Sequence, residues 1–292
     1  RPEQPACALT LFKPGAQDPP GSMKDRMALS VVQAAKARSQ LGPGGRVVEY
    51  TGGSTGTSLA FVCAALGHPI TVVTSDAFSR EKRDHMRALG ATVLELPSEG
   101  GKTTRELIRA MMAKAGEVAQ EPGAYAADQF RNPDAAQGYA PLAGELLDQC
   151  GGRLDAFVQS VGTAQCITGV AARLRGSSPA RIVAVEPAES PVLSGGAAGS
   201  HKIEGVGPGF APPVWAPDTA DEILQVSTDE AQSMTRRLAR EEGLFAGTST
   251  GANVVAALRI AKRLGPGHTV ATLQCDSGLK YLSTDLFAPV ET

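Results

Sequence analysis

The chain has 292 residues, of which 42% are hydrophobic, 20% charged and only 4% aromatic. That length can bury a core without disulfide or metal staples and suits two domains. A formal charge of -2 excludes bulk attraction to nucleic acid or to acidic membranes as the basis of function. No apolar run reaches the roughly 18 residues of a membrane span, and no signal peptide is visible. Cys7, Cys63, Cys150, Cys166 and Cys275 are scattered, with no C-x-x-C pair. This predicts reduced thiols and a cytoplasmic protein. His68, His85, His201 and His268 are too dispersed to suggest a metal site.

Along the chain, short β-branched runs alternate with helical stretches. ALTLF (8–12) reads as a strand, and a helix begins around Ser22. GRVVEY (45–50) is a strand, SLAFVCAALG (58–67) a helix stopped by glycine, and PITVVTS (69–75) a strand. SREKRDHMRALG (79–90) is a charged helix, ATVLELP (91–97) a strand and KTTRELIRAMMAKAG (102–116) a helix. Residues 121–137, with two prolines and turn residues, read as a crossing between domains. GYAPLAGELLDQC (138–150) is expected to be helical despite Pro141. LDAFVQSVG (154–162) is a strand, ITGVAARLRG (167–176) a helix and RIVAVEP (181–187) a strand. Residues 188–217 are too long and irregular for a simple turn. A helix over 228–243 starts at Thr228 without a full capping box. Another helix follows TSTGAN (248–253), and TVATLQC (269–275) is the last strand. The alternation predicts an α/β protein of two domains with largely parallel sheets flanked by helices.

Five loops lie at strand ends or helix starts: PPGSMKD (19–25), TGGSTGT (51–57), SVGTAQC (160–166), GTSTGAN (247–253) and CDSG (275–278). Exposed backbone N–H groups and the helix dipole favour an anion at such places, and open α/β sheets bind ligands beyond their strand C-termini. Any one loop is as well explained by a tight turn with a helix cap; five together point to a site. None has the G-x-G-x-x-G or G-K-[ST] order of a nucleotide loop. Lys24 opens a helix, where its charge opposes the dipole. It is either a surface lysine paired with Asp25 or a Schiff-base lysine.

The order and spacing of DPPGSMKDR, TGGSTG, MRALGA (86–91), HKIEGVGPGF (201–210), EEGLFAGTSTGA (241–252) and SGLKYLSTDLF (277–287) resemble the cysteine synthase and cystathionine β-synthase family. These are the fold type II pyridoxal phosphate enzymes, tryptophan synthase beta-like in fold. The resemblance runs from about Leu9 to Phe287. It implies pyridoxal 5'-phosphate as cofactor, held at its aldehyde by Lys24. It implies a smaller mobile domain over 18–128 and a larger, phosphate-binding domain from 1–17 and 129–292.

The family's Thr-Ser-Gly-Asn-Thr-Gly loop falls on Thr51 to Gly56, so the resemblance places the substrate carboxylate against Thr51, Gly52, Gly53 and Thr55, with Gln129 as a further ligand. Gly52 replaces a serine. Ser54 replaces an asparagine and shortens the reach to the cofactor's 3-oxygen. The phosphate loop falls on Gly162, Thr163, Ala164, Gln165 and Cys166, where the last three replace two glycines and a threonine. Gly247 and Ser249 lie near the cofactor ring, and either Asp276 or Ser277 faces its nitrogen. Gly205 belongs to a segment that closes over substrate, where Lys202 either meets an anionic substrate or stays solvated.

The implied activity is β-replacement on an activated serine of the O-acetylserine or O-phosphoserine type, through an aminoacrylate, as in cysteine biosynthesis. The same residues would serve a β-eliminating lyase acting on cysteine, serine or threonine. A third reading is a non-catalytic, partner-binding relative, against which an intact Lys24 speaks. The implied partners are a small amino acid, a small nucleophile and a second copy of the chain in a homodimer.

Overall fold

The computed structural model describes residues 9–14, 20–101 and 104–288. Cys7, Ala8, Asp18 and Pro19 lie outside the described residues, as do the first two residues of the helix expected from 102.

The chain divides into two compact units. The first contains a five-stranded sheet in the order β1-β9-β6-β7-β8, and every neighbouring pair is parallel. Its strands are β1 (Leu9–Pro14), β6 (Ala156–Ser160), β7 (Arg181–Pro187), β8 (Glu222–Val226) and β9 (Thr269–Gln274). Its helices are α6 (Pro141–Gln149), α7 (Gln165–Leu174), α8 (Thr228–Glu241) and α9 (Thr248–Leu264). Strands covered on both faces are largely apolar; β6 is buried along its whole length, with Gln159 and Ser160 at its carboxyl end. Val158, Val183, Val185, Val270, Ala256 and Ile260 make one core cluster between this sheet and α9. Each large apolar side chain so buried contributes roughly 1.5–3 kcal/mol.

The second unit contains a four-stranded, all-parallel sheet in the order β4-β3-β2-β5. These strands are β2 (Arg46–Tyr50), β3 (Ile70–Ser75), β4 (Thr92–Leu96) and β5 (Ala124–Ala126). The helices are α1 (Lys24–Ala37), α2 (Ser54–Leu66), α3 (Arg80–Ala88), α4 (Arg105–Val118) and α5 (Pro133–Tyr139). The apolar stripe of α4, Leu107, Met111, Ala115 and Val118, packs with Val48 and Val73 of the sheet.

The α/β class and parallel sheets are as the sequence predicts, but several boundaries differ. The units divide at Gly138/Tyr139, and the chain from Gly278 belongs with the second unit. The expected boundary at 128/129, with everything after it in the larger domain, is therefore corrected. The physical reason is local anchoring. Both terminal guanidinium nitrogens of Arg38, the C-cap of α1, donate to the Asp134 carboxylate, each at 2.7 Å. Gly138 also passes so close to α1 that a Cβ there would lie 2.5 Å from the Arg26 carbonyl oxygen.

The expected helix over 138–150 is two helices, with Pro141 in the first turn of α6, where its missing N–H costs nothing. The start of α8 does carry a full capping box: Ser227, not Thr228, is the cap, and Glu230 is its partner. β8 and β5 were not expected as strands.

Candidate active site

In the second unit the 51–55 loop and Gln129, and in the first unit the 162–166 and 276–277 loops, follow the carboxyl ends of parallel strands, where open α/β sheets place ligands. In the second unit, Thr51–Gly53 follows β2 and leads directly into α2. Thr51 N–H continues the sheet by donating to the Val73 carbonyl (3.0 Å), and its hydroxyl oxygen accepts from Gly53 N–H (3.0 Å). Helix α2 begins at Ser54, four residues earlier than the apolar pattern predicts. Thr55 thus lies in its first turn, buried.

The two glycines of this loop have different neighbours. A Cβ on Gly52 would meet the Phe78 ring at 2.7 Å, so the space of the family's serine side chain is taken by an aromatic ring. Gly53 has φ 146°, and the stem of Lys82 lies where its Cβ would be. Lys82 is itself buried, with its ammonium 4.2 Å above the Tyr281 ring, a favourable cation–π placement.

Gln129 is joined to this loop although it lies more than seventy positions along the chain. Its Oε1 accepts from the Thr55 hydroxyl at 2.6 Å, and its Nε2 donates to the Tyr50 carbonyl at 3.0 Å. Behind it stands Glu49, buried at the end of β2. One Glu49 oxygen accepts from Gln129 N–H and the other from Tyr50 N–H, both at 3.0 Å. Burial pushes the Glu49 carboxyl up to about 8, against the lowering effect of those two backbone donors.

Lys24 is the first residue of α1, half-buried, and its N–H donates to the Ser22 hydroxyl at 3.2 Å. The neighbouring Asp25 is buried, so it is not a surface counter-ion. Helix α1 packs along α2, the helix that opens with Ser54 and Thr55.

In the first unit four segments are stitched together. After β6 the chain passes through Gly162 and Thr163 to Ala164, which caps α7 in a left-handed conformation (φ 65°, ψ -11°). A non-glycine residue there costs roughly 1–2 kcal/mol, so the loop keeps a glycine-type backbone in spite of its alanine. The N-terminus of α7 carries no side-chain cap, which leaves its first-turn N–H groups and dipole facing the loop.

Gly162 is fixed by close approach: its Cβ would lie 2.2 Å from the Gly205 carbonyl oxygen. Gly207 N–H donates to the Val161 carbonyl (3.0 Å). Glu204 N–H donates to the Thr248 hydroxyl (3.0 Å), tying the same segment to the start of α9. There Gly247 is the cap residue and Ser249 is buried. Cys275 N–H donates to the Thr250 hydroxyl (3.1 Å), and Ser277 pairs with Ala246. Asp276, buried, and Ser277, half-buried, therefore lie beside the 246–250 segment. Beneath these loops Asn253, fully buried, accepts from Ser160 N–H (2.6 Å) and donates to the Leu273 carbonyl (3.0 Å).

The sequence reading missed Glu49, Phe78 and Lys82. Glu49 carried a signal: a carboxylate inside VVEY, a strand too apolar to be other than buried, must be neutral or held by donors. Phe78 and Lys82 carried none, because their roles depend on two glycines twenty-five or more residues away.

The sequence pattern of a family described as pyridoxal-phosphate dependent enzyme matches residues 4–276. The chain belongs to this family. Among its relatives it is 41% identical to a cysteine synthase of Staphylococcus aureus (strain Mu50 / ATCC 700699) over 275 residues, 93% of this chain and 87% of that protein. Among solved structures it is similar to an O-ureido-L-serine synthase, with a TM-score of 0.88 and 38% identity, over 97% of this chain and 88% of that one. It is also similar to a hydrogen sulfide-producing enzyme from Fusobacterium nucleatum, with a TM-score of 0.87 and 33% identity, over 94% and 91% of the two chains. These matches place it in the cysteine synthase and cystathionine β-synthase branch of the pyridoxal-phosphate dependent enzymes, with the fold type II architecture. The chemistry of that branch is β-replacement or β-elimination on serine- or cysteine-type substrates.

Proposed function

We propose that the chain is a β-replacing transferase that makes cysteine or a related amino acid from an activated serine of the O-acetylserine or O-phosphoserine type. The observation that carries this reading is the Thr55–Gln129 pair, closed at 2.6 Å beside the Thr51 loop. It forms a compact set of hydroxyl and amide groups at the N-terminus of α2, suited to an α-carboxylate. The identity to cysteine synthases supports the substrate class.

The residues fit pyridoxal 5'-phosphate. The glycine-type turn at Ala164 and the uncapped start of α7 suit its phosphate, received by Gly162, Thr163, Ala164, Gln165 and Cys166. Gly162 has no room for a side chain, which keeps that turn against the 205–207 segment. Gly247, Ser249 and Ser54 would border the ring, and Asp276 or Ser277 would meet its nitrogen. Bound there, the cofactor supplies an electron sink for negative charge at the substrate Cα.

Lys24 Nζ would hold the cofactor's aldehyde, and its amine would be the group that moves the proton at the substrate Cα. Thr51, Gly52, Gly53, Thr55 and Gln129 bind and orient the carboxylate, which fixes the Cα–H bond for Lys24. The 201–207 segment, bonded to both the phosphate loop and α9, is placed to exclude water as the β-substituent departs.

The test is an absorbance spectrum followed by turnover. Purified protein should show a violet-region band that Lys24→Ala abolishes. It should then form a new amino acid from O-acetylserine or O-phosphoserine plus sulfide. Rapid pyruvate release from cysteine or serine that added sulfide cannot divert would favour the β-eliminating reading. A colourless protein that takes up no pyridoxal phosphate would overturn both.

A further inference from the structure

Glu49 is given no role by the reaction proposed above, yet it occupies an expensive position. It is 2% exposed, in a strand whose neighbours Val47 and Val48 are fully or almost fully buried. Its strand partner across the sheet is Val72. A carboxyl group placed there loses its hydration and must be neutral or well supplied with donors.

Its two oxygens are not spent on remote structure. One receives Tyr50 N–H, immediately before Thr51, and the other receives Gln129 N–H, each at 3.0 Å. Gln129 in turn reaches back, its Nε2 to the Tyr50 carbonyl (3.0 Å) and its Oε1 to the Thr55 hydroxyl (2.6 Å). The result is a closed ring of hydrogen bonds from β2 through Gln129 to the first turn of α2. Gln129 needs such support, since it follows Asp128, a non-glycine residue at φ 45°, a conformation that persists only when its surroundings hold it.

We infer that Glu49 is a positioning residue for the substrate carboxylate: it fixes the Gln129 peptide, and through the Gln129 side chain it fixes the Thr55 hydroxyl. The inference rests on the amino-acid-substrate reading above. Its consequence is a pH response. With the Glu49 carboxyl pushed up to about 8 by burial, the neutral form prevails at neutral pH and the ring adds no negative charge behind the carboxylate site. Ionisation puts a like charge behind an incoming carboxylate, which opposes binding.

The other groups facing Glu49 are few. Tyr50, on its own strand, has its phenol pushed up by burial and by Glu49. Asp128 raises Glu49 further, and Arg131 lies 3.6 Å from Asp128. Of the helices packed on β2, α2 carries one buried thiol, Cys63, pushed up to about 12 by burial and not among the groups that shift Glu49. The buried face of α4 is Leu107, Met111, Ala115 and Val118.

The test compares wild type and Glu49→Gln as holoenzymes between about pH 6.5 and 9. KM and kcat for the amino-acid substrate are measured beside the absorbance change caused by an unreactive amino acid. Subtracting the variant's profile removes titration of the substrate's own amine. The expected result is a wild-type KM and ligand Kd that rise about tenfold more than the variant's over this range, with kcat unmoved. Hydrogen exchange at residues 126–132 of the cofactor-free chain gives a second readout. Protection there should fall in wild type as pH rises towards about 8 and level off above it, after correction for intrinsic exchange. Parallel KM profiles, or protection that stays level as pH rises to about 8, overturn the role of Glu49. The second readout decides the matter even where the variant does not fold. Absence of the violet band in wild type is a separate result, and it refutes the parent reading instead.

Discussion

Gly162→Ala gives a sharp test of how the phosphate loop is held. The added Cβ would lie 2.2 Å from the Gly205 carbonyl oxygen, where carbon and oxygen ordinarily approach to about 3.2 Å. Something must therefore move by about 1 Å. Neither side is a pliable side chain. One is the loop leaving β6, and the other is a backbone carbonyl whose segment is bonded to Val161 by Gly207 N–H. Gly162 does not have a left-handed φ, so the whole cost is the contact and none is backbone strain. Overpacking of this kind costs about 1–3 kcal/mol. If that falls on the proposed phosphate loop, the Kd for pyridoxal phosphate rises by about 5- to 150-fold. The assay is a titration of cofactor-free protein followed by visible absorbance, with a thermal melt of the same sample. A variant with unchanged cofactor affinity and unchanged Tm would refute the claim that loop 161–164 and segment 205–207 constrain each other.

Other outcomes follow from the same geometry. Ala164→Gly removes a side chain from a left-handed position; it should raise stability by about 0.5–1 kcal/mol, net of the extra freedom of the unfolded chain, with cofactor affinity retained. Asn253→Ala leaves the buried Ser160 N–H and Leu273 carbonyl without their partner; denaturant unfolding should show a loss of about 2–4 kcal/mol. Glu49 also links stability to pH. Its folded pKa is raised to about 8 from an ordinary 4.5, so the folded state binds the extra proton between those values. Its contribution is full below the ordinary value and is lost as pH rises, at roughly 1.4 kcal/mol per pH unit, until it levels off above the folded value. Against Glu49→Gln, wild type should lose stability across that window and run parallel beyond it.

The parallel sheets were legible because their strands are short β-branched runs covered on both faces, as ITVVTS is buried along its whole length. β8 was not, because EILQV lies at the sheet edge and is mostly half-buried, so it shows neither alternation nor a continuous apolar run. The start of α2 was hidden by polarity. Ser54, Thr55 and Thr57 read as loop residues, yet two of them, Thr55 and Thr57, are buried in the first turn of α2. Motif spacing located Thr51, Thr55 and Gly162 at strand ends, because those loops follow strands that the pattern itself defines; Gln129 follows β5, which the pattern does not define. The left-handed backbone of Ala164 and the contact between Gly52 and Phe78 were not legible. Both are set by neighbours that come close only after folding.

The return of the chain from Gly278 to the second unit has a consequence for synthesis. Ser79 donates to the Lys280 carbonyl at 2.8 Å, and Lys82 lies over Tyr281, so the helix that backs the Thr51 loop is completed by residues translated some two hundred positions later. On the ribosome the whole of 139–277 emerges while α3 still lacks that cover. The loop proposed to take the carboxylate is thus begun early and finished late. A nascent chain stalled before Gly278 would expose the Lys82 stem and Ser79, both buried in the finished protein, to chaperones and proteases.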